Sequence, residues 1–217
     1  MILEFQDGVT NGGAYNGTRD SMVWGDSSSS KKKNYGTTKE LQVMGVPDRA
    51  LLLAWDVSAI PKNSVVQSAQ IALQVTNGSN QTFQVYALNR NWDEKKVTWN
   101  EAAKGVKWGT AGITNNSDRD AAPIGTLSFN AKGVATITLN AAGIETVQEW
   151  VNNPASNFGV MLQNYSASSD YLAIASREAS NKAQHPKLSV AYTAASSMTQ
   201  STAFAIAAGL DATQKKA

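Results

Sequence analysis

The sequence predicts an all-β domain, an antiparallel β-sandwich or jelly roll with one short helix, on three observations. Short runs alternate apolar and polar residues with period two, turn residues punctuate them, and a single segment changes to helical spacing. The size agrees: 217 residues, 42% hydrophobic and 17% charged, suit one domain with its own core.

Ser21–Gly25 and Leu41–Met44 are the first strand candidates. Ala50–Val57 is nearly continuously apolar, as expected of a central strand covered on both faces. In Val66–Val75, Ala69, Ile71, Leu73 and Val75 face one way and Ser68, Gln70 and Gln74 the other, the pattern of a half-buried strand. Asn77–Asn80 is turn chemistry and Phe83–Ala87 resumes period two, so these runs read as a hairpin with a four- or five-residue loop. Ile124–Phe129, Val134–Leu139, Phe158–Gln163, Tyr171–Arg177 and Leu188–Thr193 complete the strands. Ala141–Asn152 sets Ile144, Val147, Trp150 and Val151 at helical spacing, and Asn152-Asn153-Pro154 stops it. Residues 1–194 form the module. Residues 195–217 are Ala/Ser/Thr-rich, end in Lys215-Lys216-Ala217, and read as a linker-like tail. No unit repeats within the chain.

Composition excludes several chemistries. Without cysteine there is no disulfide, thiol nucleophile or cysteine-type metal site, and the lone His185 supplies no His-rich one. A net charge of +2 predicts no nucleic-acid partner, and no apolar run approaches the roughly 20 residues that span a bilayer. No nucleotide-binding or zinc-protease motif occurs. His185, just before the last strand, lacks a nucleophile elbow nearby and reads as structural or surface. The carboxylate pairs Asp93/Glu94, Asp118/Asp120 and Glu145/Glu149 have no spacing that assigns them catalysis. The start, Met1–Phe5, lacks signal-peptide features, so the chain is either not secreted or a piece of a longer secreted protein. Ser27–Ser30 followed by Lys31–Lys33 reads as a solvated polar loop, with a basic lip for an anionic ligand as the sharper alternative.

Several segments, taken in order, resemble one family. They are Phe5-Gln6-Asp7-Gly8 with Asn16–Asp20, then Arg49–Pro61, Val65–Val75, and Val85–Asn100 with its Trp92-Asp-Glu94-Lys-Lys-Val97-Thr98-Trp99-Asn100 block. Glu149–Asn152, Phe158–Leu162, Ile174–Glu178 and His185-Pro186-Lys187-Leu188 close the series. The sequence resembles the DNRLRE domain, also classed as carbohydrate-binding module family 96, over about residues 3–194. It departs at Ala54 and Trp55, where that family usually has arginine and phenylalanine, and at His185, where arginine usually precedes Pro-Lys-Leu. The resemblance implies a jelly-roll module attached to secreted polysaccharide-degrading enzymes or surface proteins, with alginate as the ligand.

In a two-sheet sandwich the outer phase of the strands would hold Tyr171, Ala173, Ala175 and Arg177, then Gln84, Tyr86, Leu88 and Arg90, then Gly159, Met161 and Gln163. Tyrosines offer apolar patches with a polar handle to sugar rings, and arginine forks pair with carboxylates. The candidate carbohydrate-binding residues are therefore Arg19, Arg49, Tyr86, Arg90, Gln163, Tyr171 and Arg177. Trp55, Trp92, Trp99, Trp108 and Trp150 read as core or loop anchors, and Trp24 as either. Oxygen-rich loops suit one structural Ca²⁺, with Asp7, Asp20, Asp118 and Asp120 available and no run forming a defined calcium loop. The expected protein is a non-catalytic, monomeric, extracellular module that anchors a catalytic domain of its parent chain to an acidic polysaccharide, with alginate favoured. A structural or adhesive domain, or a small polysaccharide lyase, is the alternative.

Overall fold

Each predicted strand forms, with ends shifted by a few residues, in a computed structural model that describes residues 1–8 and 14–195. The predicted tail falls outside the described residues apart from Ala195. Strands β2 (Thr18–Trp24), β4 (Arg49–Trp55), β11 (Val160–Gln163), β6 (Ser79–Ala87) and β9 (Gly125–Phe129) build one wall in that order. The opposite wall centres on β5 (Val65–Asn77). On one edge β5 pairs with β13 (Lys187–Thr193) and then with β12 (Tyr171–Ala175), and on the other with β10 (Gly133–Thr138). Strands β1 (Ile2–Phe5) and β3 (Glu40–Met44) extend this wall beyond β13 and β12. A pairing of Met44 with Arg49 makes the two walls one curled sheet. All these ladders are antiparallel.

The main core lies between the walls. Leu41, Leu51, Leu53, Ile71, Leu73, Phe83, Val85, Leu162, Leu172 and Ile174 are completely buried there, each stabilising the fold by roughly 1.5–3 kcal/mol before entropy is charged against it. Helix α1 (Ala141–Asn152) adds Val147, Trp150 and Val151 to this core. Asn140 caps its start by accepting from the Gly143 amide at 3.0 Å. Gln148 fastens it to the start of β5, donating to the Ser64 carbonyl and accepting from the Val66 amide.

The predicted hairpin does not form. β5 and β6 follow each other with only Gly78 between them, yet they pair with different partners and stand in opposite walls. Gly78 lets the chain cross between walls against the 130–131 backbone, where a Cβ would come within 2.3 Å of the Asn130 carbonyl carbon. Both strands point their apolar phase into one core, so period two reads each correctly and cannot name its neighbour.

Strand β4 is covered on both faces, as its apolar run predicts. Leu51, Leu53 and Trp55 enter the main core, while Ala50, Leu52 and Ala54 enter a second one. That second core is a cap made by residues 88–120, which fold over the outer face of the first wall and include a small hairpin, β7 (Glu101–Ala103) with β8 (Val106–Lys107).

Candidate functional site

The strand registers put Arg19, Tyr86, Met161 and Gln163 on the same face of the first wall. That face is not open. Leu88, Trp92, Val97, Trp99, Ala102, Trp108 and Ile113 of the cap lie over Val23, Ala50, Leu52, Ala54 and Met161. Met161 and Leu88, expected outside, are therefore buried, and the five tryptophans read as anchors are all buried. Gly159 is enclosed as well: with φ at +81°, a Cβ there would come 2.1 Å from the Leu53 carbonyl oxygen. Ala173 and Ala175 are buried too, each a short side chain opposite a longer one, Gln42 and Glu40.

The candidate arginines and tyrosines mostly hold this architecture together. Arg19 donates to the Trp92 carbonyl at 2.8 Å and lies 5.0 Å from the Trp92 ring centroid. Arg90 pairs with the fully buried Asp118 at 2.7 Å, and Asp118 also accepts from the Gly109 and Thr110 amides. Tyr86 lies under the guanidinium of Arg119, 3.8 Å from its ring centroid. Arg49 stacks on Trp24 at 3.9 Å and bonds Gln42. Trp24 thus belongs with the main core beside Tyr35. Gln163 is buried, and Tyr171 is half-buried within electrostatic reach of Arg49. Burial pulls the Arg19 and Arg49 guanidinium pKa values down, against nearby carboxylates at Arg19 and the Tyr35 phenol at Arg49. The seven candidates fall into three places: the cap, the Trp24 edge, and a group of carboxylates around Arg177.

That third place is the most charged. Arg177 reaches Glu94 at 3.1 Å, Glu178 at 3.3 Å and Asp7 at 3.4 Å, and donates to the Thr18 carbonyl at 2.7 Å. Glu94 Oε1 accepts from the Asp20 amide at 2.8 Å. Burial pushes Asp20 well above the usual carboxylate range, with Glu178 and Glu94 adding to the rise against the Arg177 amide. Burial also raises Glu94, which the Asp20 amide and Arg177 partly offset. His185 is buried with Nδ1 3.0 Å from the Asp7 carbonyl and Nε2 2.8 Å from that of Ala179, so both ring nitrogens serve the backbone.

A cleft of about 570 Å³ lies on the cap instead, lined by Lys32, Thr98, Asn100, Glu101, Lys107, Trp108 and Ala111. Its floor is locally determined. Trp108 donates through Nε1 to the Thr98 carbonyl at 3.0 Å, and Thr98 Oγ1 accepts from the Asn100 and Glu101 amides. Interlinked Ser27 and Ser30 shape the 3₁₀ turn Ser30–Lys32 that presents Lys32. Lys32 and Lys107 are exposed, and neither forms an ion pair among the described residues, although Glu101 is the cross-strand partner of Lys107. Two ammonium groups, a carboxylate, a carboxamide and an apolar floor can hold a polar chain that carries negative charge. The basic-lip alternative covered the run Lys31–Lys33, of which Lys32 lines the cleft, whereas Lys107, Thr98 and Asn100 were missed as cleft residues. The Val97-Thr98-Trp99-Asn100 block was the available signal for the last two.

No curated protein matches the chain. The family model described as the disaggregatase related repeat domain matches residues 27–190, about three quarters of the length and both cleft walls, and this chain belongs to that family.

Proposed function

We propose that the domain is a non-catalytic binding module for an acidic polysaccharide, alginate being the ligand to try first, and that the chain lies in the cap cleft. The observation that carries this reading is the pair of exposed lysines without ion pairs, Lys32 and Lys107, that line one cleft together with the buried Trp108. The DNRLRE-like segments of the sequence support the ligand class. They also support the placement of the module outside the cell beside a catalytic domain on its parent chain. Of the earlier candidates, Arg19 and Arg90 act by holding the cap that forms the cleft, and Arg49 and Tyr171 form a secondary contact. Each exposed lysine–carboxylate contact contributes about 0.2–1 kcal/mol, so single-site affinity is modest and rises through tethering of several modules.

Affinity electrophoresis through a gel cast with alginate tests the reading. The protein is retarded, less so at high salt as charge contacts are screened, and Lys32→Ala/Lys107→Ala migrates as in the blank gel. Equal mobility of the parent protein in both gels sinks the proposal. A structural or adhesive role is favoured by one observation, membership of a repeat-domain family. It predicts no retardation and self-association of tandem copies instead.

A further inference from the structure

Asp20 on β2 is fully buried, and its carboxylate is half satisfied: Oδ2 accepts from the Arg177 amide at 2.6 Å, while Oδ1 has no hydrogen-bond partner. A buried acceptor left in this state is costly, more so when charged. Two other carboxylates converge on it from distant parts of the chain. Glu94 comes from the cap's lead-in after β6 and Glu178 from the loop after β12, and one oxygen of each of the three lies within 4.8 Å of the others. The Oε2 of Glu178 is likewise buried without a partner. With both acids ionised, these two oxygens have no donor between them.

The charges do not balance either. Asp7, Asp20, Glu94 and Glu178 gather around Arg177, and Arg19 is the other cation that Glu94 feels. Fully ionised, the four carboxylates outnumber the two guanidiniums by two, a load that agrees with the raised proton affinity of Asp20 and Glu94. We propose that Asp20, Glu94 and Glu178 bind one Ca²⁺ ion. An all-oxygen carboxylate set suits a hard cation, and bonds of about 2.3–2.6 Å let Ca²⁺ bridge oxygens with this spread. The ion supplies the partner that Asp20 Oδ1 and Glu178 Oε2 lack and cancels the residual charge. It ties β2, the cap's lead-in and the loop after β12 at one point, so it is a structural ion, independent of the polysaccharide reading.

The test is calorimetric titration of EDTA-treated, dialysed full chain with CaCl₂, paired with thermal melting. The expected result is binding of one ion per chain and a melting temperature raised by about 5–10 °C at calcium 100-fold above Kd. Asp20→Asn and Glu178→Gln each weaken binding at least tenfold and lose most of that shift. Absence of both heat and shift in the parent protein overturns the proposal, and so does a response that both variants retain. Variants that melt above a calcium-insensitive parent in EDTA also overturn it, assigning the two orphaned oxygens to a shared proton.

Discussion

The main core and the cap share strand β4, yet they are stabilised differently. The main core is filled from facing walls mostly by aliphatic side chains at period two, on ladders as long as the seven-residue register between β13 and β5. The cap's own part is an irregular segment with only a short hairpin, and it spends three tryptophans to cover five sheet residues. Where ladder bonds are few, side chains satisfy the backbone: Asp118 takes two amides, Asn34 donates to the Glu94 and Val97 carbonyls, and Tyr165 donates to that of Gly112. Arginines pin the rim by stacking on Trp92 and Tyr86. A sheet face can thus be buried by a segment that no strand pattern announces.

The contrast predicts different consequences for similar truncations. Trp55→Ala, in the main core, costs about 3–5 kcal/mol and lowers the stability of the whole domain. Trp99→Ala removes as large a ring, but its damage stays local: amides around 97–113 exchange faster while those of β5 keep their protection. Equal loss of protection in β5 would merge cap and core into one cooperative unit. Next in size is Asp118→Ala, which unpairs Arg90 and two amides and costs about 3 kcal/mol, read by denaturant titration. Arg119→Ala costs about 0.5–2 kcal/mol, from loss of the cation over Tyr86. Smallest is Lys32→Ala/Lys107→Ala, within about 0.5 kcal/mol of the parent because both side chains are exposed and unpaired. Its effect falls on ligand retention alone.

The legible part of the fold was what period two and helical spacing encode. Strand positions, the helix and its stop, and the double burial of β4 all followed from the sequence. Partner choice did not, as β5 and β6 illustrate: two correct strands with turn residues between them stand in opposite walls. The site was harder to read for a related reason. Leu88 and Met161 fall on the outer phase of their strands, and no periodicity signals that Trp92, Trp99 and Trp108 close over them. The apolar run at Ala50–Trp55 held that information, since Leu52 and Ala54 needed a cover that the main core could not provide. His185 read as structural or surface from its lack of chemical neighbours, and its burial between two backbone carbonyls makes it structural. The carboxylate group around Asp20 was not readable, because Asp7, Asp20, Glu94 and Glu178 are distant in sequence and meet only through the sheet.

The most direct test of the cap cleft as the binding site is amide and indole chemical-shift mapping of isotope-labelled protein titrated with alginate oligosaccharides. Binding in the cap cleft predicts perturbations centred on the Trp108 indole, Asn100, Lys107 and Lys32, with those at Tyr171 and Arg49 smaller. Perturbations centred on Tyr171 and Arg49 with the Trp108 indole unmoved, or none at any residue, would contradict it.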